Sequence, residues 1–193
     1  LALEKKNLVE DLYKLQTEIS DLATKLEQAG IGQREADEAL GRELAKIKRF
    51  AGLSQVSGPG AELLVQSRPG GAGIDVFDVP KITDEQLLKM VNELYSAGSD
   101  AIAINGQRIT AISEIRLAGN HINVNGIPLS PPYRITAIGD ASVLKNRLEL
   151  KGGLVEYLSE YDILVQIQEK EVVTIPAFTG ELYFDYAKPV KEN

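Results

Sequence analysis

The sequence predicts an α+β fold, in which a helical N-terminal arm precedes a domain built on a mainly antiparallel sheet. Leucines recur at helical spacing in residues 1–51, and short apolar runs alternate with two amphipathic segments in the remainder. Gly, Asn and Pro punctuate the intervals, as they do at turns. Hydrophobic residues make up 44% of the 193 residues and charged residues 25%, so the chain has the composition of a globular protein with a core.

The arm begins with a heptad repeat. Leucine occupies the d positions every seven residues, and a second series lies three residues before it at a. The stripe runs for about four heptads, and an isolated helix of this kind is marginal, so it needs a partner helix. We therefore predict a coiled coil and a homodimer formed through it. The predicted interface consists of Leu8, Leu12, Leu15, Ile19, Leu22 and Leu26.

Gly30 and Gly32 leave two geometries open for the arm. The helix can continue through a four-residue insertion in the heptad into a second stretch that contains Leu40 and Leu44. Alternatively, the chain can turn back at the glycines into a helical hairpin. The apolar face is wide, and no complementary charge ladder flanks it. The hairpin therefore stays an alternative. We prefer the long, parallel, dimerising helix.

The arm is predicted to occupy residues 1–51 and the α+β globular domain residues 52–193. Gly52 suits the left-handed C-cap of a helix, and SGPG (57–60) suits a rigid turn before a new domain. The chain begins at Leu1 rather than Met, already within the helical pattern. We therefore expect a preceding segment, for which a signal sequence and a membrane anchor are the two alternatives.

The globular domain shows an ordered series of segments. The first helix starts at Thr83, with Gln86 three residues later as in a capping box, and Asp140 caps the second. The predicted strands are 61–67, 101–104, 109–117, 121–124, 133–138, 163–167 and 172–175, of which 109–117 and 121–124 are expected to form a hairpin around Gly119-Asn120. This order is that of a split β-α-β arrangement, as in ferredoxin-like folds, with both helices on one face of the sheet.

Four stretches make the chain resemble the DUF881 family of bacterial proteins. They are AGLSQVSGPGAELLV (51–65), LLKMVNELYSAGSDAIAINGQRIT (87–110), NVNGIPLSPPYRITAIGD (123–140) and the Gly-Gly of LKGGLVEYL (150–158). The resemblance implies a membrane anchor, a coiled coil and a domain outside the cytoplasm of a Gram-positive bacterium. It also implies association with cell division and sporulation, with partners from that machinery. It implies no catalytic mechanism.

The segment NGQRIT (105–110) is the main candidate site. Asn105, Gln107 and Arg108 can make directional hydrogen bonds, and with Tyr133 they form our candidate partner or ligand edge. In one interpretation Arg108 grips a carboxylate or phosphate. In the other, which we favour, Asn105 and Gly106 form a tight turn between two strands and present Arg108 at an exposed edge.

Other classes of site lack the residues they need. The net charge of −7 disfavours nucleic acid and anionic membrane surfaces, and the chain has no cysteine and a single histidine, His121. We therefore assign no catalytic residue, cofactor or metal ligand. The leading hypothesis is an extracytoplasmic, membrane-tethered, dimeric interaction or scaffold module. The alternative is a small ligand-sensing or hydrolytic domain with a cleft near Arg108.

Overall fold

The structure is a computed structural model that describes residues 2–28, 33–68 and 82–180, with side chains from residues 11–25, 37–68 and 82–180. The chain divides into two compact units. Unit 1 contains the residues up to Ser54, together with Thr110–Ile112 and the residues from Phe178 onward. Unit 2 contains Gln55–Ile109 and Ser113–Ala177. In the described ranges no helix has the length and apolar character needed to cross a membrane.

The described residues of unit 1 form two helices, α1 (Ala2–Gln28) and α2 (Gln33–Phe50). After α2 the amide of Leu53 donates to the carbonyl of Lys48 at 2.7 Å, and that of Gly52 donates to Arg49 at 3.1 Å. These two bonds form a Schellman motif, and Gly52 takes the left-handed conformation (φ 75°) that the motif requires. The predicted glycine cap is confirmed.

The relation of α1 to α2 bears on the two geometries left open for the arm. Residue pairs from the two helices approach within 8 Å between Cα atoms. One straight helix continued through residues 29–32 would keep every such pair at least about 8.6 Å apart, given its rise and radius. The approach therefore favours the hairpin over the long continuous helix. Residues 29–32, and the side chains of Leu8 and Leu26, lie outside the described part of the chain.

The described residues of unit 2 form a five-stranded antiparallel sheet, a separate three-stranded antiparallel sheet and three helices. The order of the large sheet is β3-β2-β7-β1-β8, and that of the small sheet is β4-β5-β6. This mixture of helices and antiparallel sheets confirms the α+β class. The elements are β1 (Val56–Ser67), α3 (Asp84–Ser96), β2 (Ala101–Ile104), β3 (Gln107–Ile109), β4 (Ile115–Ala118), β5 (His121–Val124), β6 (Ile127–Leu129), β7 (Tyr133–Ile138), α4 (Ala141–Leu148), α5 (Leu154–Glu160) and β8 (Ile163–Ile175).

Four predicted strands have the wrong extent. The strand predicted at 61–67 begins at Val56, because its first residues pair with the far end of β8. The strands predicted at 163–167 and 172–175 are one continuous strand. The hairpin predicted around Gly119-Asn120 is confirmed as β4–β5, but its first strand was predicted too long, because Ile109 closes β3 and β4 starts at Ile115. The strands predicted at 101–104, 121–124 and 133–138 are confirmed.

The main core lies on one face of the large sheet. Alternate residues of β1, β2 and β7 point into it, as the two-residue period of a strand requires. The three helices α3, α4 and α5 cover this face with their apolar sides. The centre of this core is formed by Leu63, Ile102, Ile104, Ile135, Leu87, Leu94, Leu144, Leu148 and Leu158, each with 1% or less of its surface exposed.

The other face of the large sheet carries a smaller apolar cluster, formed by Ala101, Ala103, Ile138, Val173 and Ile175. Ala103 is on β2 and Val173 on β8, although β7 and β1 lie between these strands in the sheet. A bulge between Gly58 and Gly60 shifts the β1–β8 register. Because bulges bend strands, the end of the β1–β8 ribbon crosses this face and covers part of it.

Gly60 is required at the bend of this ribbon. A Cβ atom there would overlap the backbone carbonyl of Ala137 on the neighbouring strand β7. Only glycine lets the two backbones approach so closely. The SGPG segment, predicted as a turn before the domain, is therefore the bulged first part of β1.

Candidate functional site: a buried arginine behind the β2–β3 turn

The NGQRIT segment forms the turn between β2 and β3. Asn105 (φ 46°) and Gly106 (φ 81°) both have positive φ, which is the backbone of a type I′ hairpin. The Asn105 side-chain oxygen accepts from the Arg134 amide at 2.6 Å, and the Asn105 amide donates to the Arg134 carbonyl at 2.8 Å. The tight structural turn that the sequence predicts is confirmed, and Asn105 uses its polar groups to hold β7.

Arg108 lies on the inner part of this hairpin and not at its surface. It is opposite Ala103 in the β2–β3 register, and only 5% of its surface is exposed. The expectation of an exposed Arg108 is wrong. The reason is that the ribbon formed by β1 and β8 reaches this end of the sheet. There the Nη1 atom of Arg108 donates to the carbonyl oxygen of Pro176 at 3.4 Å.

The backbone of Arg108 is held by two side chains that follow it. Its carbonyl oxygen accepts from the Asn125 Nδ2 atom at 2.8 Å and from the Ser113 hydroxyl at 3.2 Å. Asn125 itself lies in a turn with positive φ (53°) between β5 and β6. The small sheet thereby fixes the position of Arg108 on β3.

The Arg108 guanidinium has few partners for its charge. Within residues 2–28, 33–68 and 82–180, its buried Nε atom makes no hydrogen bond and no carboxylate pairs with the guanidinium. Burial lowers the pKa of Arg108, while the nearby Tyr95 raises it. An arginine keeps its proton in proteins, so among the described residues this buried cation has a single long bond, to a carbonyl oxygen.

Tyr133 is also buried, with 2% of its surface exposed. It opens β7, opposite Val65 of β1, and belongs to the main core. Burial raises the pKa of its phenol. The two prolines before it start the strand, and the ring then points inward by the alternation of β7. Tyr133 is therefore not a surface contact, whereas Gln107 stays half-exposed beside the turn.

The remaining polar candidates have structural roles. Asp140 accepts from the Val143 amide at 3.0 Å and so caps α4, as the sequence predicts. The ring of His121 contacts the side-chain oxygen of its neighbour Asn120 at 3.3 Å. In the described ranges, no group of three or more His, Asp or Glu side chains could hold a metal ion.

The arm presents a second candidate surface, an apolar stripe on α2. Leu40 (41% exposed), Leu44 (47%) and Phe50 (61%) all keep a large part of their surface in solvent. Ile47, which is half-buried, lies between them at helical spacing. We call these four residues the α2 stripe. On α1, Leu12, Leu15 and Ile19 of the predicted interface are half-buried, and Leu22 is 52% exposed.

Comparison with known proteins identifies the family. The family model described as "Bacterial protein of unknown function (DUF881)" matches residues 43–188. The chain belongs to this family. It is 33% identical over 131 residues to the UPF0749 protein YlxW of Bacillus subtilis (strain 168). The alignment covers 66% of this chain and 55% of that protein. It is also 27% identical over 184 residues to the UPF0749 protein Rv1825 of Mycobacterium tuberculosis (strain ATCC 25618 / H37Rv). This alignment covers 92% of this chain and 60% of that protein.

A solved structure has the same architecture. A crystal structure of an uncharacterized conserved protein from Mycobacterium tuberculosis superposes with a TM-score of 0.61 at 27% identity. The match covers 76% of this chain and 99% of that chain. This chain spans about half to three fifths of the length of the curated relatives that it matches.

Sequence reasoning missed the burial of Arg108 and its contact with Pro176. Arg108 stands in a polar run, NGQR, which is typical of an exposed turn. The alternation of residues along β3 could have predicted the burial of Arg108. Arg108 lies opposite Ala103, and both alanines of β2 lie on the same face of the sheet as Arg108. The arrival of Pro176 depends on the bend in β1 and β8, for which the sequence offers only the two glycines at 58 and 60.

Proposed function

We propose that this chain is a dimeric interaction or scaffold module that self-associates through its helical arm. The observation that carries the proposal is the α2 stripe. Exposed leucine and phenylalanine side chains on one helical face lower the free energy of the protein when another apolar surface covers them. Single exposed apolar residues are ordinary, but here they recur over three turns of one helix.

The occupant that we propose for the stripe is a second copy of the chain. The heptad residues of α1 add Leu15, Ile19 and Leu22 to the apolar surface of the arm. A twofold pairing lets each copy cover the same patch of the other, which closes the assembly at a dimer. With helices folded back as a hairpin, such a dimer would be a four-helix bundle.

For unit 2 we propose a ferredoxin-like arrangement. The strands β2, β7, β1 and β8 are neighbours in that order, with α3 between β1 and β2, and α4 and α5 between β7 and β8. This is the order of a split β-α-β unit, to which β3 adds an edge. The fold by itself does not determine a function.

We place the module outside the cytoplasm, tethered to the cell membrane and serving the division or sporulation machinery of a Gram-positive bacterium. Support comes from the family resemblance and from the relative in Bacillus subtilis. The coding sequence upstream of Leu1 tests the tether. We expect an apolar segment of about 20 residues there. A start codon next to Leu1, or an upstream segment without such a run, would contradict tethering.

A second candidate function is ligand sensing at Arg108, favoured by the burial of its guanidinium. The hydrolytic form of this alternative has less support. In the described ranges, neither a carboxylate nor a histidine is bonded to Arg108 to serve as a general base. We therefore propose a non-catalytic protein.

The proposal of self-association is tested by replacing two residues of the α2 stripe. Leu40→Gln with Leu44→Gln is expected to convert the dimer mass of the wild type into a monomer mass in light scattering. The matched control is Arg42→Gln with Lys48→Gln, which introduces the same side chains at two exposed polar positions of α2. The control should stay dimeric. A wild type that is monomeric at about 100 μM, or a stripe variant that stays dimeric, would refute the proposal.

A further inference from the structure

The charge pairing of unit 2 singles out Arg108. Each of the other four arginines in its described residues lies within 4 Å of a carboxylate, and each is largely exposed. The pairs are Arg68–Asp162, Arg116–Glu114, Arg134–Glu62 and Arg147–Glu93. The buried arginine, Arg108, has no carboxylate partner among the same described residues. This is the reverse of the usual pattern, because burial of an unpaired cation is far more costly than its exposure.

The chain does not lack acids that could have neutralised this charge. It has 28 acidic residues against 21 basic ones. Strands β1 and β8 of the same sheet carry Glu62 and Glu169, and these carboxylates pair with Arg134 and Lys145 instead. Arg108 instead relies on a bond to Pro176 whose length, 3.4 Å, exceeds the usual range for an N–H···O bond.

Hydrogen bonds fix the backbone that carries the Arg108 guanidinium. Asn125 and Ser113 fix the Arg108 backbone through its carbonyl oxygen, and the Asn105–Gly106 turn fixes the start of β3. β3 forms one edge of the described sheet, so Arg108 lies on a strand whose outer side pairs with no described strand. A planar fork with a free Nε–H suits a planar or tetrahedral oxyanion, which accepts two parallel hydrogen bonds.

We propose that Arg108 is a receptor for an oxyanion, a carboxylate or a phosphate group, that a ligand brings to the β3 edge. The anion accepts from the Nε–H of Arg108 and replaces the weak bond to Pro176. This inference deepens the ligand-sensing alternative and does not depend on self-association through the arm. Because the anion binds Arg108 only where the folded chain holds it, ligand occupancy stabilises unit 2.

The test observes the Arg108 Nε–H group directly. Protein labelled with ¹⁵N in its arginine side chains is titrated with inorganic phosphate and, separately, with succinate, each against KCl of equal ionic strength. We expect one Nε–H resonance to shift saturably with at least one probe, while those of the exposed arginines follow the KCl reference. The probe that binds more tightly identifies phosphate or carboxylate as the natural group.

Two variants assign the resonance. Arg108→Lys keeps the charge but removes the Nε–H fork, so the responding resonance should vanish and affinity should fall at least ten-fold. Arg134→Lys, at an exposed ion pair, should leave both unchanged. If Arg108→Lys does not fold, the wild-type resonance is assigned by its nuclear Overhauser contacts with Ala103, its neighbour across the strands.

The titration also gives the results that overturn the inference. If neither probe shifts the Arg108 resonance up to about 50 mM, a trapped water suffices for the Nε–H and the site is structural. Equal shifts of all arginine resonances would mean non-specific screening and would likewise overturn it. The same titration on Leu40→Gln with Leu44→Gln separates this outcome from the oligomer test, since the anion response should persist there.

Discussion

At the scale of single residues, the backbone at Asn105 and Gly106 decides whether β3 forms. Both residues need positive φ, and this conformation costs free energy for most side chains. Glycine takes it freely, and asparagine tolerates it better than other residues. The two types were therefore readable from the sequence as a turn, and their dihedral angles confirm the prediction.

Gly106→Val should destabilise unit 2 by about 1–3 kcal/mol, because a β-branched residue is strained at φ 81° even where space is open. Chemical denaturation measures the change. Gly106→Asn is the matched control and should lose less than half as much, since asparagine adopts this region. If Gly106→Val does not lower the stability, the turn readily adopts another conformation and does not require glycine at position 106.

Tyr133 yields a prediction about both size and pH. Tyr133→Ala should cost about 3–5 kcal/mol through the cavity it leaves, while Tyr133→Phe should cost little at neutral pH. Burial raises the pKa of Tyr133 in the folded state. Its contribution is therefore present below the unfolded pKa of about 10 and is lost as pH rises through the folded pKa.

The phenylalanine variant isolates this titration. Above about pH 10 the stability of Tyr133→Phe should fall less steeply than that of the wild type, as measured by denaturant titration at several pH values. Parallel slopes for the two proteins would show that the phenol titrates alike in both states. A small loss for Tyr133→Ala would contradict the core position.

Arg108 shows where residue-level prediction stops. The NGQRIT segment predicts that Arg108 can form hydrogen bonds and lies near a turn, but it does not predict that Arg108 is buried. Burial depends on Pro176, which lies 68 positions away along the chain. No local pattern reports such a contact, because it arises from the path of two whole strands.

At the scale of elements, local signals placed the helices and three of the strands well. α3 begins where Thr83 and Gln86 form a reciprocal capping box, and the Thr83 amide donates to the Gln86 side chain at 2.8 Å. The strands at 101–104 and 133–138 are apolar runs bounded by turn residues, and their ends are as predicted. Capping and turn chemistry act within a few residues, so sequence suffices for them.

Thr83→Ala should destabilise the protein by about 1 kcal/mol, since it removes the acceptor for the Gln86 amide. Thr83→Ser keeps the hydroxyl, so its loss of stability should be only a few tenths of the loss in Thr83→Ala. Thermal melts of both variants decide the matter. Equal losses would show that the methyl group, and not the cap, is what stabilises this end of α3.

β8 was predicted as two strands, because Gln168–Glu171 interrupts its apolar residues. In the structure this polar stretch stays in the strand, since β1 pairs along nearly its whole length. An edge strand has one open side, and polar and charged residues there discourage pairing with other chains. The interruption therefore marks an edge, which a single sequence cannot distinguish from a loop.

At the scale of the whole molecule, the sequence specified the α+β class and the presence of a helical arm, but not how the arm is folded. The heptad stripe suits a partner helix from the same chain or from another copy, because both offer the same apolar groups. The wide apolar face kept both options open. Two glycines raise the cost of continuing a helix by about 1 kcal/mol each, which is too little to decide.

The approach of α1 to α2 leads to a distance prediction for the arm. Lys14 and Lys48 are exposed and lie at similar distances along the chain from Gly30 and Gly32. In a hairpin whose helix axes are about 10 Å apart, spin labels at these positions should be within about 30 Å. In one continuous helix the same positions would be about 51 Å apart, at 1.5 Å per residue.

The absence of cysteine makes this measurement clean, because Lys14→Cys with Lys48→Cys introduces the only thiols. Pulsed electron–electron resonance is recorded with labelled chains diluted in excess unlabelled protein, so that the distance within one chain dominates in any dimer. A single-label variant, Lys48→Cys alone, reports the remaining distance between copies. A main distance near 50 Å would restore the long parallel helix, and the α2 stripe would then belong to a two-stranded coiled coil. A short distance makes the arm a hairpin, whose exposed stripe is free to build a four-helix interface with a second copy.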